Sequence, residues 1–224
     1  MTDTRGRSEL IRSRLEKSYG RPGIEDHMDP LSTLVHTILS QNTTDITSDR
    51  AWKALRRKYR TMESLARADR DELAETIRMG GLADIKAGRI IQALNDIREL
   101  TGRLSLDFLR DMDEQEVDRW LSQLKGVGPK TRAIVLLFSL DKTAFPVDTH
   151  IFRVTKRLGL VSPSADREEA QEKMAELSKP VDYFSYHVNI IEHGRKVCSA
   201  RRPKCYQCLL YDVCNWSEKK EHRE

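Results

Sequence analysis

Leu31, Leu34, Val35, Ile38 and Leu39 recur at i, i+3, i+4, i+7 and i+8, the spacing that lines one stripe of a helix with apolar side chains. Ile85, Ile90, Ile91, Leu94 and Ile97 predict a second helix. Ala133, Ile134, Leu136, Leu137 and Leu140 predict a third, apolar enough to be central. The alternation expected of strands is almost missing, so the pattern predicts an all-α fold. Turn signals at Gly80-Gly81, Gly102, Gly126 to Gly128 and Pro146 separate the helices by linkers of ordinary length. No low-complexity stretch and no solenoid period interrupts this order.

At 224 residues the chain can bury one large core or two modest ones. Its 33% charged residues describe a well-solvated surface, and no apolar run approaches a membrane span. The segment from Met1 to Lys17 is polar and carries Arg5, Arg7, Arg12 and Arg14 without an apolar signal core. An intracellular protein with no membrane partner is therefore expected. The net charge is only +4, but Arg195, Lys196, Arg201, Arg202 and Lys204 cluster near the carboxy terminus. That patch favours an anionic partner, although a plain solvated face has the same composition.

The same region holds every cysteine of the chain, Cys198-x6-Cys205-x2-Cys208-x5-Cys214. Small zinc modules bring together two close pairs, whereas only Cys205 and Cys208 form one here. An iron-sulfur cube tolerates the irregular gaps, because each thiolate binds its own iron corner. Zinc and two disulfides are the alternatives, and disulfides require an oxidising compartment.

Leu124-Lys125-Gly126-Val127-Gly128-Pro129-Lys130-Thr131 is the segment richest in chemistry. Two glycines separated by one residue permit a tight hairpin, and Pro129 suits the first position of a helix. Exposed amides at that helix start suit a phosphate, while an ordinary glycine-rich link is the plain alternative. The spacing of a nucleotide P-loop is absent. Lys130 falls in the first turn, where the helix dipole disfavours an ammonium and so favours the nucleophilic free amine. A solvated or phosphate-binding lysine is the competing reading.

Asp148, in Phe145-Pro146-Val147-Asp148-Thr149-His150-Ile151-Phe152-Arg153, lies within reach of that lysine along the chain. A helix from Pro129 to Leu140 is about 16 Å long, and an extended segment from Asp141 to Val147 retraces about 23 Å. The carboxylate can cap the next helix, marked by Ile151, Val154 and Leu158, and can also stabilise positive charge developing on a sugar.

These segments resemble the endonuclease III group of helix-hairpin-helix DNA glycosylases that carry an iron-sulfur cluster. L-K-G-V-G-P-K-T, V-D-T-H-I-F-R-V and the four-cysteine loop follow one another in the family's order, with fainter likeness at Ile38 to Asp45 and Gly80 to Ile91. The resemblance implies a bilobed fold: a six-helix domain over 25–141 carrying the hairpin, and a second domain of 1–24 plus 142–224 carrying a [4Fe-4S] cluster on Cys198, Cys205, Cys208 and Cys214. It implies Lys130 as the Schiff-base lysine and Asp148 as the essential aspartate. The implied partner is double-stranded DNA with a damaged base or abasic site, its target nucleotide turned out of the stack. The implied activity is excision of oxidised pyrimidines with β-elimination at the abasic site. A monomer is expected because nothing demands more, and a cytoplasmic, nucleoid-associated location if the source is bacterial or archaeal.

The resemblance and the residue patterns together give further expectations. Leu82 is similar to the family's wedge residue, and a buried leucine is its alternative. The family's space-filling glutamine stands three residues before an aspartate, whereas Asn42 occupies that place here and Gln41 precedes it. Lys125 replaces a proline common before the hairpin. Lys86, Gly126, Gly128, Thr131, His150, Arg201, Arg202 and Lys204 complete the expected DNA contacts. His36 and His187 are expected as core or interface histidines, and Trp52, Trp120 and Trp216 as packing residues, with Trp216 beside the cluster. Two rival functions remain at this level: a mismatch thymine, uracil or adenine glycosylase without lyase activity, and a non-catalytic DNA-binding module.

Overall fold

Short polar side chains start most of the helices. Asp3, Asp29, Thr44, Thr61, Asp69, Asp113, Asp148 and Asp166 each accept a hydrogen bond from an amide in the first helical turn, satisfying donors that have no partner along the helix. The computed structural model describes residues 3–24 and 27–222, and among these there is no strand. Their α-helices are α1 (Thr4–Tyr19), α2 (Pro30–Ser40), α3 (Asp45–Lys58), α4 (Met62–Ala66), α5 (Arg70–Ile77), α6 (Ala83–Thr101), α7 (Glu114–Ser122), α8 (Pro129–Ser139), α9 (Thr149–Leu158), α10 (Arg167–Glu176) and α11 (Tyr183–Lys196). No helix among the described residues is long and apolar enough to cross a membrane.

The helices fall into two compact units. One runs from residue 27 to 142 and holds α2 to α8. It contains one helix more than six, because Thr61 and Ser64 form a reciprocal capping box that sustains the five-residue α4. In α2 all but two residues are buried, so this helix is the centre of the unit, and it packs against α8. The stripe Leu31, Leu34, Val35, Ile38 and Leu39 is buried throughout. In α6 the expected stripe is rotated: Ile85 is 49% exposed, and Lys86 takes the inward place beside Ala87, Ile90, Leu94 and Ile97.

The other unit joins the described residues before 25 to those from 143 onward. Here α11 packs on α1 and α9. Asp182, buried just before α11, pairs with Arg21 at 2.8 Å and with Arg12 of α1 at 3.5 Å. Tyr186 is buried, with its hydroxyl 3.3 Å from the Ser8 hydroxyl of α1. Gly194 lets α11 approach α9 closely, since a Cβ there would lie 3.1 Å from the His150 Cβ. His187 is buried and its Nδ1–H donates to the Pro146 carbonyl at 2.9 Å, as a satisfied core histidine should. His36 is a half-buried interface residue instead, 3.4 Å from Asp49 and 5.5 Å from the Trp52 ring.

Candidate functional site

The hairpin region shows how sequence builds an exposed helix start. Gly126 sits at φ 81°, a conformation that calls for glycine, and the Arg89 side chain lies over it, 3.3 Å from where a Cβ would stand. Gly128 caps α8 without a side-chain hydrogen bond, Pro129 takes the first helical position, and Lys130 comes next, partly exposed. The amides of this first turn are therefore not taken up by a capping side chain. Thr131 differs from its expected place as a DNA contact. It is 4% exposed, because the third helical position turns it toward the core of its own unit.

Two further loops of the same unit carry left-handed backbone. Asn42 has φ 53° and is exposed, just beyond the end of α2. Its neighbour Gln41 accepts a hydrogen bond from Arg89 at 2.6 Å. Leu82 has φ 51° and is 51% exposed, which rules out the buried alternative. Apolar side chains rarely occupy that conformation without a use for it. Lys86 corrects the expectation of a DNA contact. It is 1% exposed, and its ammonium donates to the carbonyls of Leu39 at 2.6 Å and Gly80 at 2.7 Å. Burial lowers its pKa, as expected for a charge withdrawn from water.

Asp148 belongs to the other unit. As the N-cap of α9 it accepts the Ile151 amide at 2.7 Å and remains partly exposed. His150, two residues on, lies 3.2 Å from an Arg153 guanidinium nitrogen through its Nδ1. Arginine can only donate, so Nδ1 is the acceptor and the proton sits on Nε2. Burial lowers the pKa of His150 despite the opposing pull of Asp148.

None of the four cysteines is disulfide-bonded. They line one cavity, whose floor includes Val154, Leu158 and Val197. No group of three or more His, Cys, Asp or Glu among the described residues is arranged to hold a single metal ion. Burial raises the thiol pKa of Cys205 and Cys214 and pushes Cys208 up to about 11, and the charge of Cys198 raises all three further. Such a set ionises together only against a multivalent cation, so the donor chemistry fits a metal group.

Trp216 lines this cavity, where the sequence placed it, but sequence reasoning missed Arg157 and His193. Arg157 donates to Cys198 Sγ at 3.4 Å and to the carbonyls of Ser199 and Ala200 at 2.8 and 3.1 Å, and its guanidinium lies 3.8 Å from the centre of the Trp216 ring. His193, 1% exposed, has Nε2 3.5 Å from Cys208 Sγ and Nδ1 3.2 Å from the Tyr19 hydroxyl. Burial takes its pKa down to about 4, so it is neutral at physiological pH. Only their place on the faces of α9 and α11, distant in sequence from the cysteines they serve, hints at these roles. Arg201, Arg202 and Lys204 are exposed on the loop between the first two cysteines.

Residues 35–180 match the HhH-GPD superfamily of base excision DNA repair proteins. Endonuclease III of Thermotoga maritima is 34% identical over 188 residues, covering 84% of either chain. The chain belongs to the endonuclease III family. A putative DNA glycosylase of Arabidopsis thaliana is 39% identical over 75% of this chain, which spans 57% of that relative's length. Among solved structures, a trapped endonuclease III–DNA covalent intermediate with an estranged adenine superposes with TM-score 0.84 at 27% identity, over 100% of both chains. The endonuclease III likeness thus rests on sequence and on the all-helical fold together, and the family is one of base excision repair DNA glycosylases.

Proposed function

We propose that the protein is a bifunctional DNA glycosylase and abasic-site lyase that removes damaged, oxidised pyrimidines from double-stranded DNA. The observation that carries this reading is Lys130, a partly exposed amine in the first turn of α8 directly behind the Gly126–Gly128 hairpin. An amine there can attack C1′ of an extruded deoxyribose as the base departs with the bonding electrons; the attached nitrogen, having lost a proton, then expels O4′, which is protonated as the sugar ring opens, and an iminium is left. Loss of a C2′ proton then drives β-elimination, which breaks the C3′–O bond and nicks the strand. A glycosylase that uses only water needs no amine at this position.

Asp148 has the partly exposed carboxylate suited to stabilising positive charge on the sugar. Leu82, with Gln41 or Asn42, would fill the space left in the stack, an ordinary use of exposed apolar and amide side chains by proteins that distort a duplex. The exposed Gly128 turn and Arg201, Arg202 and Lys204 would hold phosphates. The trapped covalent intermediate among the structural neighbours supports the Schiff-base chemistry, and the DNA in it supports duplex binding.

Cys198, Cys205, Cys208 and Cys214 would hold a [4Fe-4S] cluster, which asks for thiolates around a cavity rather than around one point. When bound, it would supply structural restraint to the basic loop. Arg157 would donate to one ligand and fix the loop carbonyls, and neutral His193 would face another.

A panel of duplexes carrying oxidised pyrimidines, oxidised purine, uracil or mismatches, scored separately for base release and nicking, tests the proposal. Release and nicking together on oxidised pyrimidines are expected. Base release without nicking on a mismatch, or binding without release on every duplex, contradicts it.

A further inference from the structure

Lys86 is an unusual residue to find inside a protein. A buried ammonium needs strong acceptors, and here they are two backbone carbonyls rather than a carboxylate. Both carbonyls sit at helix ends. Leu39 lies in the last turn of α2, and Gly80 closes the short 3-10 turn Arg78–Gly80. Carbonyls in those places lack partners along the helix and carry the negative end of its dipole. One cation therefore caps two chain segments that are far apart in sequence.

The residues just beyond these two helix ends have left-handed backbone. Three residues after Leu39 comes Asn42 at φ 53°, and directly after Gly80 come Gly81 at φ 66° and Leu82 at φ 51°. Such a conformation at non-glycine residues persists only where surrounding contacts enforce it. One turn further along α6, on the same face, Arg89 grips Gln41 and covers Gly126. The Lys86 and Arg89 side chains thus reach the 39–42 loop, the 80–82 loop and the hairpin from a single helix.

We propose that Lys86 is a positioning residue, whose buried ammonium staples the 39–42 and 80–82 loops into one rigid unit so that Leu82 and the Gln41-Asn42 amides enter a damaged duplex together. This rests on the reading that those loops engage DNA. A wedge on a loop free to yield would bend away from the base stack, whereas one fixed to two helix ends transmits the push. Lys86 itself touches no DNA.

The test compares affinity for a duplex containing a tetrahydrofuran abasic analogue with affinity for the intact duplex of the same sequence. Wild type, Lys86→Met, Arg89→Met and Leu82→Ala are measured at a temperature where circular dichroism shows each to be folded. Lys86→Met is expected to lose about tenfold or more of the preference for the abasic duplex while holding the intact duplex within about twofold, a change that lost stability alone does not produce in a folded variant. Arg89→Met should lose less. A folded Lys86→Met with undiminished preference overturns the staple, and if Leu82→Ala has lost the preference in the same assay, the DNA reading survives. A wild type with no preference defeats both. Should Lys86→Met fail to fold, hydrogen exchange of the wild type decides: amides of 40–43 and 80–83 opening with one shared free energy support the staple, and independent opening overturns it.

Discussion

Asp148 holds the amide of Ile151 at 2.7 Å, so the proposed catalytic carboxylate is also a helix cap. The two duties separate by substitution. Asparagine caps as well as aspartate, so Asp148→Asn should leave thermal stability within about 0.5 kcal/mol of wild type. Excision should nevertheless fall by about a hundredfold or more, because the amide cannot balance positive charge on the sugar. Asp148→Ala should add about 1 kcal/mol of instability. Calorimetry and single-turnover base release measure the two effects, and unchanged release by Asp148→Asn would reduce the residue to a cap.

Leu82 is half exposed and held at φ 51°. Leu82→Gly removes backbone strain and little buried area, so stability should be unchanged or rise by up to about 1 kcal/mol. Base release should fall, since nothing then fills the stack. A variant that is both less stable and fully active would show that the side chain serves packing.

Arg157 joins the Cys198 thiol, two loop carbonyls and the Trp216 ring. Its removal in Arg157→Ala should destabilise the carboxy-terminal loop by about 2 kcal/mol and speed loss of visible absorbance on exposure to a chelator. Iron and sulfide analysis of the wild type should give about four of each per chain. A colourless protein containing zinc would contradict the cluster assignment.

How much of this the sequence discloses depends on the distance over which each feature is set. The α2 stripe and the Asp148 cap involve residues three or four apart, and both are legible from spacing. Lys86 is not, because one of its partners, Leu39, lies 47 residues away and hydropathy alone assigns an ammonium to solvent. That misreading also turns Ile85 inward, one position from the true inner face of α6. Arg157 and His193 serve cysteines that are 41 and 15 residues distant, with no motif linking them. The hairpin and the four cysteines are visible as motifs because glycine and thiol chemistry leave few other uses.

Tyr186 provides a pH dependence. Its phenol is buried against Ser8, and burial holds its pKa above the ordinary value of 10.0. The unfolded chain therefore ionises first as pH rises, so the stabilisation is complete below pH 10 and is lost above it. Tyr183 and Tyr19 are raised for the same reason and add to the loss. Tyr186→Phe should move the alkaline unfolding midpoint upward while leaving neutral pH little changed. Denaturant titrations between pH 8 and pH 11 test this, and an unmoved midpoint would assign alkaline loss to other groups.

The most direct test of the central claim is borohydride trapping on a duplex carrying an oxidised pyrimidine. Wild type should form a covalent protein–DNA adduct that peptide mapping places on Lys130, and Lys130→Gln, folded and able to bind the duplex, should form none. An adduct that survives in Lys130→Gln, or one mapped to another residue, would contradict the account.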